Sequence, residues 1–83
     1  MYQVYVLYSK SFNKYYIGQT NNVTERLKRH NNGYVKSTSN YLPWELIGFI
    51  EKETRAEAMK LETKLKNLNK SRIKIFITKY LSN

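Results

Sequence analysis

The sequence predicts an α+β fold: a small three-stranded antiparallel sheet flanked by helices, in the order ββαβαα. Three observations carry this. Two early segments, YQVYVLY (Tyr2 to Tyr8) and YYIGQT (Tyr15 to Thr20), are rich in the aromatic and β-branched types that favour strands, and the short polar linker SKSFNK between them predicts a hairpin. Two later segments each open with a capping residue followed three positions on by Glu, the mark of a helix start. No repeat, Pro/Gly-rich linker or break in composition divides the 83 residues, so one domain spanning residues 1–83 is expected.

In extended strands alternate residues share a face, which groups Gln3, Tyr5 and Leu7 in the first and Tyr16, Gly18 and Thr20 in the second. If the two sets face the same way, Tyr5 and Tyr16 border one surface. Next, NNVTERLKRHNNG predicts a helix from about Val23 to Asn31, capped by Asn22, with Glu25 completing a reciprocal cap and Gly33 ending it. YVKSTSNYLP holds turn-forming residues and the single proline, and reads as an ordered loop leading to WELIGFIEK, the third strand. Thr54 then opens TRAEAMKLETKLKNLN with Glu57 at capping-box spacing, and Ala58, Leu61, Leu65 and Leu68 form one helical stripe. In SRIKIFITKYLSN, Ile73, Phe76, Ile77, Tyr80 and Leu81 recur at helical spacing, so a last helix is expected, although Ile73, Ile75 and Ile77 also alternate as in a strand.

Composition narrows the function. Fifteen Lys and Arg against six Asp and Glu leave a net charge of +9, which points to a polyanion partner, the alternative being charge that serves solubility alone. An anionic membrane is a weaker candidate, because no helix joins a basic face to a large exposed aromatic one. With no cysteine and the single histidine His30, neither disulfides, thiolate zinc nor a multi-histidine site is available, so a metal would rest on oxygen ligands. No stretch approaches the roughly 20 apolar residues of a membrane span, and the start MYQVYVLYSK lacks the order of a signal peptide, so the cytoplasm is the expected address.

Three features could carry chemistry. On the first helix Val23, Arg26, Leu27 and His30 share one face, with Arg26 and His30 a turn apart and able to act on one group. The competing account is structural: Arg26 snorkelling beside Leu27, and His30 a satisfied core residue. Glu62 stands at the margin of the Ala58, Leu61, Leu65 stripe, where it either pairs with Lys or Arg or, with waters and phosphate oxygens, holds Mg²⁺. Among eight tyrosines, one becomes a general base only if its pKa falls from about 10 toward neutrality.

Together these residues resemble the GIY-YIG nuclease superfamily. The resemblance runs through Val4-Tyr5 in the first half-motif, Tyr16-Ile17-Gly18 as the second, Arg26, His30, Asn31 and Gly33, and the later pattern Glu57-Ala58 and Glu62. GYVKSTSN, LPWELI and the LK after Glu62 are similar to the small stand-alone bacterial branch, akin to the nuclease domain of the structure-specific SLX subunit. Gln3 stands where the family name places glycine, and a nuclease module without an appended DNA-recognition domain is expected.

The resemblance implies a metal-dependent endonuclease that hydrolyses DNA phosphodiester bonds, with structure selectivity as a family-level expectation and the type of DNA, branched or duplex, left open. It implies Tyr5 or Tyr16 as base, Arg26 on the phosphate, His30 assisting, and Glu62 holding Mg²⁺ or Mn²⁺. Gly18 would let the strand pack closely, a side chain there intruding on the helix. Lys28, Arg29, Lys66, Lys70, Arg72 and Lys74 would hold the nucleic-acid backbone. Two alternatives stand beside this: a non-catalytic nucleic-acid-binding module, and a subunit that needs a protein partner to present substrate.

Overall fold

The computed structural model describes residues 1–81. Strands β1 (Tyr2–Ser9), β2 (Lys14–Thr20) and β3 (Glu45–Lys52) form one antiparallel sheet in the order β2-β1-β3. β1 is therefore central, and Val4, Tyr5, Val6 and Leu7 are all buried because both faces of the sheet are covered. On one face Val4, Val6 and Ile17 pack against Ala58 and Leu65, with Leu61, Phe76 and Ile77 around them. On the other, Tyr5 and Leu7 pack with Val23 and Trp44, joined by Tyr16 and Leu27. The expected α+β architecture is present, with the sheet as an inner layer.

The hairpin turns at Asn13, whose φ of 50° lies in the left-handed region that Asn tolerates; its Oδ1 accepts the Tyr8 hydroxyl at 3.0 Å. Helix α1 (Val23–Asn31) starts at Asn22, whose side chain accepts from the Glu25 N–H at 3.1 Å. The second half of the expected reciprocal cap is supplied differently, since the Asn22 N–H donates to Thr20 Oγ1 at 3.1 Å. Gln3 takes up another free donor: its Oε1 accepts the Val23 N–H at 2.9 Å and ties β1 to the helix start. At the other end Gly33 has φ 77°, and the bonds Gly33 N–H to His30 O and Tyr34 N–H to Arg29 O, both 3.1 Å, close a Schellman turn that a side chain would strain.

The loop back to the sheet contains a 3₁₀ turn, Ser39–Tyr41, and is clamped by Asn31. Its side chain accepts the Trp44 N–H at 2.7 Å and donates to the Trp44 carbonyl at 3.0 Å. Trp44, expected to open the third strand, precedes it and turns into the core, 4% exposed. The pairing shifts between Val6↔Gly48 and Leu7↔Leu46, so Ile47 is the extra residue of a bulge.

Helix α2 (Arg55–Lys66) is capped by Thr54, which accepts from Glu57 N–H at 3.2 Å. It ends before Leu68, which packs on the same core from the following turn, not from the helical stripe. Helix α3 (Lys70–Phe76), capped by Asn69, runs on into a π-helical turn, Ile77–Leu81. The last segment is thus helical, in two parts. Ile73 is buried, but Tyr80, expected on the same stripe, is 58% exposed and packs on Phe76 at 4.9 Å, because the wider turn breaks the 3.6-residue period. Ser82 and Asn83, the end of that segment, lie outside the described residues. Among the described residues no helix is long and apolar enough to cross a membrane.

Candidate active site

Tyr5 pairs with Gly18 across β1 and β2, and that pairing shapes the site. A Cβ at position 18 would lie 2.5 Å from the Tyr5 hydroxyl and 2.7 Å from its Cζ, so the bare glycine lets the Tyr5 ring lie over β2. The expectation that a side chain at Gly18 would intrude on the helix is corrected: the group it meets first is Tyr5. Tyr16 flanks the same place, its ring centroid 6.3 Å from Tyr5, 4.8 Å from His30 and 6.2 Å from Trp44. The two motif tyrosines do border one surface.

His30, in the last turn of α1, is 1% exposed. Its Nε2 is 3.0 Å from the Tyr5 hydroxyl and its Nδ1 2.8 Å from Thr38 Oγ1. Arg26, one turn earlier on the same face, is half-buried, as the helical wheel requires. Burial holds the His30 pKa below its ordinary 6.5, and the positive charges of Arg26 and Arg29 add to this, so the ring is neutral at pH 7. Burial likewise pushes the Tyr5 hydroxyl up to about 12, aided by Tyr16 and Glu62 and opposed by the charge and hydrogen bonding of Arg26. The fall toward neutrality that a tyrosine base was expected to need is reversed here.

Glu62 approaches from the other side of the sheet. It projects from α2 beside Gln19, which alternates with Gly18 along β2 and so lies on the α2 face. Gln19 Nε2 donates to Glu62 Oε1 at 2.9 Å, and Lys66 Nζ lies 3.0 Å from Oε2. The negative charge of Glu62 adds the smallest of the effects that raise the Tyr5 pKa. Among the described residues no group of three or more His, Cys, Asp and Glu converges, and Glu62 is the carboxylate packed beside β2. The donor set fits a hard divalent ion that keeps most of its waters: each carboxylate oxygen retains a lone pair beyond its present contact, and Lys66 is a long, half-exposed side chain that moves at little cost.

The basic residues divide into groups. Lys66 and Lys70, with Lys14, line a groove of about 510 Å³ whose floor includes Tyr15 and Tyr16, so it adjoins the site. Arg72 lies in a separate hollow with Lys64 and Tyr80, and Lys74 in another beside Ile75. Lys28 and Arg29 are exposed on the outer side of α1. Sequence reasoning missed Gln19, Thr38 and Lys14; only Gln19, directly after Tyr16-Ile17-Gly18, had a signal to find it by.

The GIY-YIG catalytic domain family matches residues 1–75 of the chain. The protein belongs to the GIY-YIG family. It is similar to the UPF0213 protein lwe0147 of Listeria welshimeri serovar 6b, 42% identical over 59 residues, which are 70% of this chain and 66% of that protein. The chain thus spans just under two thirds of that relative's length. The solution NMR structure of the UPF0213 protein BH0048 from Bacillus halodurans superposes with a TM-score of 0.63 at 28% identity, over 96% of this chain and 86% of that one. Within the GIY-YIG frame, Val4 and Ile17 are core residues of the α2 face, 2% and 5% exposed, and Tyr5 and Gly18 form the opposed pair beneath the site.

Proposed function

We propose that this GIY-YIG domain is an endonuclease that hydrolyses DNA phosphodiester bonds with a divalent cation, Mg²⁺ or Mn²⁺, anchored by Glu62. The observation that carries this is the 3.0 Å contact between the Tyr5 hydroxyl and neutral His30. A standing phenolate is disfavoured: with the hydroxyl pushed up to about 12, forming it at pH 7 costs roughly 7 kcal/mol at about 1.4 kcal/mol per unit. Tyr5 therefore acts as a relay. It accepts a proton from the attacking water as its own proton passes to His30 Nε2, so the net acceptor is the imidazole. Arg26, with several donors, binds the phosphate oxygens and balances the charge that grows on them. Glu62 would hold the cation, which when bound would supply Lewis-acid stabilisation to the reacting phosphodiester. Tyr16 packs on His30 and limits its movement, which favours Tyr5 as the relay.

The groove of Lys14, Lys66 and Lys70 and the exposed Lys28 and Arg29 give the strand a sequence-independent seat on either side of the site. Binding to duplex DNA is expected to weaken with salt, and each of Lys28→Ala, Arg29→Ala and Lys70→Ala to flatten the plot of log affinity against log salt by about 0.9 for every phosphate no longer neutralised. Fluorescence anisotropy across a NaCl series measures this. Unchanged slopes in all three variants would remove those residues from the interface.

The test of the function is cleavage of labelled branched and duplex DNA with Mg²⁺ or EDTA, beside Glu62→Gln. Cleavage that stops in EDTA and in Glu62→Gln is the expected result. Cleavage indifferent to both would overturn the cation reading. A second reading, a binding module or a partner-dependent subunit without activity of its own, draws on the engagement of both Glu62 oxygens by Gln19 and Lys66. It gains if the protein binds DNA and cuts none.

A further inference from the structure

Thr38 belongs to a loop with no catalytic motif of its own, yet its side chain is 1% exposed and meets the site histidine. We propose that Thr38 is a positioning residue that fixes which nitrogen of His30 carries the proton, so that the bare Nε2 faces Tyr5 as an acceptor.

The hydrogens available to these groups decide the direction of each bond. The Thr38 hydroxyl has one to give, and the Val35 carbonyl, 3.2 Å away, is a group that can only accept it. The 2.8 Å contact with His30 Nδ1 is then made by an Nδ1–H donating to Thr38 Oγ1. In a neutral imidazole the other nitrogen is an acceptor, so the Tyr5 hydroxyl donates to Nε2. The positive charge of Arg26, which has donors only, acts on Tyr5 in the same sense. Donors thus run one way from Tyr5 through His30 and Thr38 to Val35.

Thr38 is itself held on several sides. Its N–H donates to Val35 O at 3.1 Å, and its carbonyl accepts from Trp44 Nε1 at 3.0 Å and from Tyr41 N–H at 3.1 Å. Trp44 is in turn clamped by Asn31, the neighbour of His30 on α1. The loop thus carries its hydroxyl to the imidazole in a fixed position. With the opposite tautomer Nε2 would present a hydrogen to Tyr5, and the relay would have no acceptor. In this respect the inference rests on the proposed hydrolysis.

His30 is the chain's single histidine, so its ring nitrogens are read by NMR without assignment. Long-range ¹H–¹⁵N spectra at neutral pH are expected to show protonated Nδ1 and bare Nε2 in the wild type and in Thr38→Ser. Thr38→Val, which keeps the shape and removes the acceptor, is expected to shift the ring toward the Nε2–H form. It should also lower kcat about 10- to 100-fold with KM little changed, while Thr38→Ser stays within about threefold of wild type. An Nε2–H tautomer in the wild type overturns the proposal outright, even if Thr38→Val fails to fold. So does a folded Thr38→Val that retains Nδ1–H. A wild type with the expected tautomer that cuts no DNA overturns the proposed function and leaves the tautomer assignment standing.

Discussion

Tyr5→Phe is expected to lower cleavage by about 10²- to 10⁴-fold, the range for removing a positioned proton-transfer group. The ring that fills the space over Gly18 is kept, so the fold survives. The buried His30 Nε2 loses its hydrogen-bond donor, at a cost of about 1–3 kcal/mol that denaturant unfolding measures. Because the acceptor must be neutral, activity is expected to be full above the His30 pKa and to fall as pH drops through it. Burial, Arg26 and Arg29 set that value below the ordinary 6.5. Stability follows the same sign: a histidine whose pKa is depressed on folding contributes its stability above about 6.5, and the contribution is lost as pH falls toward the folded-state value. An acid limb in the wild type rising from well above 6.5, or a Tyr5→Phe variant that cleaves at the wild-type rate, would exclude the relay.

Gly18→Ala is the second large effect. The added Cβ would sit within 2.7 Å of two Tyr5 atoms and 3.1 Å from Tyr16 Cε2, and Tyr5 is 1% exposed, so its ring can give way only by displacing packed neighbours. Overpacking of this kind costs about 1–3 kcal/mol, and any displacement of the Tyr5 ring separates its hydroxyl from His30, so activity falls along with stability. A double-mutant cycle isolates the cause. In a Tyr5→Leu background the shorter side chain leaves position 18 open, and Gly18→Ala is expected to cost much less. Equal costs in both backgrounds would mean the glycine is needed for β2 itself.

Much of this was legible in the sequence because it follows from local periods. The alternation of Gln3, Tyr5 and Leu7 against Tyr16 and Gly18 placed both motif tyrosines on one surface, and the wheel of α1 put Arg26 and His30 on the buried side. Glu62 at a stripe margin is where α2 carries it. What the sequence concealed depends on distant partners. Gln19 and Glu62 are 43 residues apart, and nothing in either segment announces the other. Thr38 lies in a loop with no period, so its meeting with His30 follows only once Asn31 has clamped Trp44. The rise of the Tyr5 pKa is a burial effect that both covered faces of β1 produce together. Tyr80 defeated the helical stripe because the final turn is π-helical.

Among the described residues the strand order β2-β1-β3 leaves the outer side of β2 without a neighbouring strand, beside the lysine-lined groove. A bare strand edge is a template on which other copies can stack, and proteins commonly guard it with charge. Here Lys14 opens the edge and Lys66 and Lys70 stand next to it, so a second copy would bring like charges together before any backbone bond formed. The cations that would draw in a polyanion thus also discourage aggregation, and trimming them for the sake of weaker binding would expose the chain to self-association.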